Sequence, residues 1–96
     1  MTDSDWNKLG QAAADTAMRA AVSYIKHHNL KADVDALLSC VRAHMKALLG
    51  EALFDAKAAI DAHMPQVAET TFLATMAKAG IEAAKEAGQP NINAGM

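Results

Sequence analysis

The 96-residue chain has one cysteine, two prolines and four aromatic side chains, and no apolar run approaches the length of a membrane span. Each shortage excludes something. A lone Cys40 forms no intramolecular disulfide, which points to a reducing, cytoplasmic setting. The first residues carry Asp3 and Asp5 instead of a basic segment followed by an apolar one, so they do not read as a secretory signal. Without roughly 20 consecutive apolar residues, no membrane helix is expected. Nine Lys and Arg against eleven Asp and Glu give a formal charge of −2 with the signs interspersed, so the concentrated basic patch that phosphate backbones reward is missing. No nucleic acid, membrane or cofactor is expected as a partner. Glycine-rich phosphate loops, nucleophile elbows and dinucleotide fingerprints are absent too, and the chain does not read as an enzyme.

Alanine is what the chain has in abundance, at 23 of its 96 residues. It is the best helix former and buries little area, so helix is easily made while the core it builds is thin. Only eight Leu, four Ile, four Val and two Phe supply bulk. A monomer of this composition has a small surplus of burial over chain entropy, which makes self-association an expectation.

Spacing predicts three amphipathic helices. The first, about Ser4 to His28, opens on Asp3 or Ser4 as N-cap, lines up Trp6, Leu9, Ala13, Ala17, Ala20, Tyr24 and His28 on one stripe, and ends near Asn29. The second opens on Asp33 and carries the strongest stripe, from Val34 through Leu37, Val41, Met45, Leu48 and Ala52 to Ile60, interrupted by Gly50. Pro65 then forces a choice, because proline fits a helix's first turn and breaks its interior. A sharp turn followed by a third helix, about Ala62 to Ala87 with Asp61 as its cap, is favoured over one long helix kinked at Pro65. Gly10, Ala13, Ala17, Gly80 and Ala83 are small enough to let helix backbones approach closely. The expected fold is therefore all-α, a three-helix antiparallel bundle over residues 1–90 completed by dimerisation, with a flexible tail at 91–96. A near-echo between Ala43–Met45 and Ala62–Met64 has no constant offset with the other similar pair and is no repeat.

The second helix is apolar on two sides. Away from its main stripe lie Ala36, Cys40, Ala43, Ala47, Phe54 and Ala58, and a helix of that kind is central in its bundle or shared with another chain. Beside this band fall His44, Glu51 and Asp55, with the two acids four residues apart as a like-charge pair that invites a cation. A metal would suit imidazole and carboxylates, but the helix offers no second histidine at ligand spacing and no Glu-x-x-His pair, so salt bridges to Lys or Arg of another helix or subunit are the simpler expectation. Cys40, one turn before His44, lacks the orienting groups a catalytic thiolate needs and reads as a small core residue. His27 and His28 suit the negative end of the first helix. The methionines form no ligand cluster, and Glu69 sits where a helix N-terminus favours a carboxylate.

By elimination the chain reads as a small helical adaptor, regulator or inhibitor acting on another protein or on itself as a homodimer, with His44, Glu51, Phe54 and Asp55 as the partner-binding residues and no metal site. The alternatives are a self-assembling component of a larger particle and a metal-binding helical bundle. The chain carries no motif specific enough to assign a family.

Overall fold

The computed structural model describes residues 2–90. Three helices form an up-down-up bundle: α1 (Asp3–His27), α2 (Val34–Asp61) and α3 (Pro65–Ala87). Two-residue strands after the first and third helices, β1 (Leu30–Lys31) and β2 (Gln89–Pro90), pair antiparallel and close one end. The molecule is a rod of 55 × 19 × 18 Å.

Each helix start has a local cause. Thr2, rather than Asp3 or Ser4, caps α1: its hydroxyl accepts from the Asp5 backbone N–H, while the Asp5 carboxylate accepts from the Thr2 backbone N–H at 3.1 Å. This reciprocal box satisfies two otherwise unpaired donors. The Thr2 backbone N–H, then its hydroxyl, hold the Asp5 carboxyl below the ordinary carboxylate range. Asp33 caps α2 as expected, accepting from the Ala36 N–H at 3.0 Å. Between α1 and α2, Asn29 takes the left-handed conformation at φ 50°. At the other end the chain folds back at once: His63 adopts φ 61° and Pro65 occupies the first turn of α3. A long kinked helix is thereby excluded, and Asp61 ends α2 instead of capping α3.

The core lies along the rod in two clusters. Leu9, Ala13, Ala52, Ala56, Phe72 and Met76 anchor one, and Trp6 meets Phe72 edge to face with ring centroids 6.5 Å apart. Ala17, Ala21, Leu37, Val41, Ala83 and Ala84 anchor the other. Nine of the fourteen buried apolar side chains are alanine, so the helices pack by close approach more than by bulk. The approach is closest between α1 and α3. A β-carbon on Gly80 would overlap the Ala17 carbonyl, reaching 2.8 Å from its carbon, so only glycine fits there. Gly10, expected to play the same part, faces open space.

The central element is α3, not α2. Both other helices pack along α3 and touch each other little, and α3 buries seven residues where α1 and α2 bury four each. Small residues all round its surface, including Ala77, Ala79, Ala83 and Ala84, let two neighbours close on it at once.

Candidate protein-docking face

With α3 in the centre, the second apolar band of α2 has no cover among the described residues. The buried stripe of α2 runs through Leu37, Val41, Ala52 and Ala56. At 100° per residue, Ala36, Ala43, Ala47, Gly50 and Phe54 fall on the opposite side, and all five are exposed. Phe54 is 74% exposed, while the chain's other phenylalanine, Phe72, is 4% exposed in the core. Leu49 and Leu53, at 42% and 40%, stand on the flank of the same helix. Of the two readings of the two-sided apolar character of α2, central in its bundle or shared with another chain, the first is thus corrected. Val34, placed in the main stripe by its period, also stands exposed where α2 begins.

The charged residues singled out beside Phe54 divide. His44 reaches across to α3, its Nε2 lying 2.6 Å from Oε2 of Glu86, so it joins two helices of one chain. Its partner is an acid and not the Lys or Arg expected for the cluster as a whole; only the carboxylates of that cluster need a base. Glu51 is exposed and Asp55 half-buried, and among the described residues neither takes part in an ion pair or a side-chain hydrogen bond. The structure therefore places Glu51 and Asp55 along one edge of the band, with His44 tied inward. Cys40 is a half-buried free thiol that packs against the second core cluster, on the boundary between core and band.

Among the described residues, no three His, Cys, Asp or Glu side chains are placed to share a metal ion. Two clefts lie elsewhere. One of about 420 Å³ separates the start of α1 from the start of α3 and is lined by Asp5, Lys8, Leu9, Pro65, Gln66 and Glu69. Glu69 is exposed there, beyond the first turn of a helix that starts later than its sequence suggests, so it is no N-terminal charge partner. The other cleft, about 660 Å³ and wide open, follows Met18, Val22 and Lys26 along α1. Neither cleft includes a residue of the α2 band. Among the described residues, no helix is long and apolar enough to cross a membrane.

Comparison of the chain with protein-family models, with curated proteins and with solved structures gave no match. The α2 band is the feature whose chemistry the fold leaves unused. An exposed phenylalanine costs apolar hydration, and a row of small neighbours around it makes a surface that a second helix can approach closely.

Proposed function

We propose that this chain is a non-enzymatic helical interaction module, an adaptor, regulator or inhibitor in the cytoplasm, which works by presenting the outer face of α2 to another polypeptide. The observation that carries the reading is the position of Phe54. In a bundle whose buried set is mostly alanine, one of the chain's two phenylalanines stands in solvent, 74% exposed, and not in the core that lacks bulk. Aromatic anchors surrounded by small or weakly contributing neighbours dominate protein interfaces, because they desolvate fully against a partner. Glu51 and Asp55, which carry charge along one edge of the band, supply orientation more than affinity.

The test is hydroxyl-radical footprinting of Phe54 in the native assembly and in the isolated chain under denaturant-free dilution. Protection of Phe54 in the assembly is the expected result, with the association itself lost in the Phe54→Glu variant. An assembly that forms equally well with Glu at this position would remove the reading.

A further inference from the structure

We propose that the occupant of the α2 face is a second copy of this chain, its α2 lying parallel to the first about a twofold axis. This rests on the reading above and names the partner. Three features of the exposed face carry it.

The first is the repeat. Ala36, Cys40, Ala43, Ala47, Gly50 and Phe54 alternate at spacings of four and three, the period of a coiled-coil seam. Cys40, Ala47 and Phe54 then stand at equivalent positions one heptad apart, with Ala36, Ala43 and Gly50 at the other set.

The second is Gly50. A glycine inside a helix costs about 1 kcal/mol relative to alanine, and among the described residues nothing lies within 4 Å of where its β-carbon would be. The fold of one copy gives that glycine no use. In a parallel seam, Phe54 inserts between Gly50, Leu53, Phe54 and Lys57 of the partner subunit, and the missing side chain at Gly50 is what leaves room for the ring.

The third is charge. Lys46 lies on one flank of the seam and Glu51 on the other, both exposed. Parallel pairing sets opposite flanks against each other, with a residue facing the one five positions on, which brings Lys46 to Glu51 of the partner subunit. Antiparallel pairing sets like flanks together. Lys46 would then meet its own kind, and Glu51 would meet the flank of His44, whose ring is already engaged by Glu86.

Sedimentation of the full chain over a dilution series tests the pairing, with oxidation by copper-phenanthroline testing its direction. A reversible dimer is expected. Phe54→Glu weakens it about thirtyfold or more, the size of an interface hot spot, with helix content retained. Ala47→Glu, at an exposed position on the same seam, repeats the loss independently should Phe54→Glu disturb folding. Lys46→Glu weakens the dimer several-fold, and Lys46→Glu combined with Glu51→Lys restores it. Cys40 of the two copies cross-links, because equivalent seam positions face each other only when the helices run parallel.

A chain that stays monomeric at every concentration overturns the self-pairing and leaves the interaction reading to stand on a different protein. A dimer indifferent to both Phe54→Glu and Ala47→Glu overturns the self-pairing and removes the reading's support as well. A dimer that needs Phe54 but neither cross-links through Cys40 nor responds to the charge exchange overturns the parallel arrangement.

Discussion

Phe72 and Phe54 sit on neighbouring helices of one small bundle and occupy opposite environments. Phe72 is enclosed by α1 and α2 because α3 is narrow enough, through its alanines, to be covered from two sides; its ring meets Trp6 and the surrounding small residues. Phe54 projects from the back of α2, which one neighbour covers on one side only. The lesson is that in an alanine-rich bundle the apolar side chains do not sort by size into the core. They sort by which helix the others converge on.

The contrast is sharpest where bulk is removed. Phe72→Ala should destabilise the chain by about 3–5 kcal/mol, read as a drop in the thermal or urea midpoint. Phe54→Ala in the dilute chain should stay within about 0.5 kcal/mol of the parent, as exposed positions do. Equal losses at the two sites would break the comparison and place Phe54 in a core.

Glycines give the next test. Gly80→Ala drives a methyl group into the Ala17 backbone and should cost about 1–3 kcal/mol despite the better helix propensity. Gly10→Ala, which meets nothing, should raise stability by about 0.5–1 kcal/mol in the same melt. The smallest effect is expected at the link between the two environments. His44→Ala removes a solvent-exposed pair with Glu86 and should cost about 0.2–1 kcal/mol by chemical denaturation, shrinking in high salt.

Three helices, the Asp33 cap, the reversal at Pro65 and most of the buried stripes are legible in the sequence, since period and capping are local properties. Which helix lies in the middle is not. The strongest stripe belongs to α2, yet α3 takes the centre, because alanine is equally compatible with burial and exposure and hides how widely a helix is covered. Gly10 and Gly80 look alike in sequence, and only the crossing of α1 over α3 separates them. The Thr2 cap was obscured by the acids that follow it. Of the four residues picked for partner contact, Phe54, Glu51 and Asp55 lie on or beside the uncovered band, whereas His44 is held by Glu86 from a distant part of the chain, a pairing no local spacing encodes. The short β1–β2 pairing has no signal of its own, being only two residues deep. Residues 91–96, expected to form a flexible tail, lie outside the described residues.

That pairing orders events in time. The α2–α3 hairpin is joined by a tight turn and can form from neighbouring sequence, whereas β1 and β2 are separated by the whole of that hairpin and meet only after α3 has returned alongside α1. Gly88 lies beside Ile25 and Leu30 at that junction, and a β-carbon there would come within 2.6 Å of the Ala84 carbonyl oxygen, too close for a side chain of its own. The clasp is thus a latch that closes last, and its amides should be among the first to exchange with solvent deuterium when α1 lifts from the hairpin.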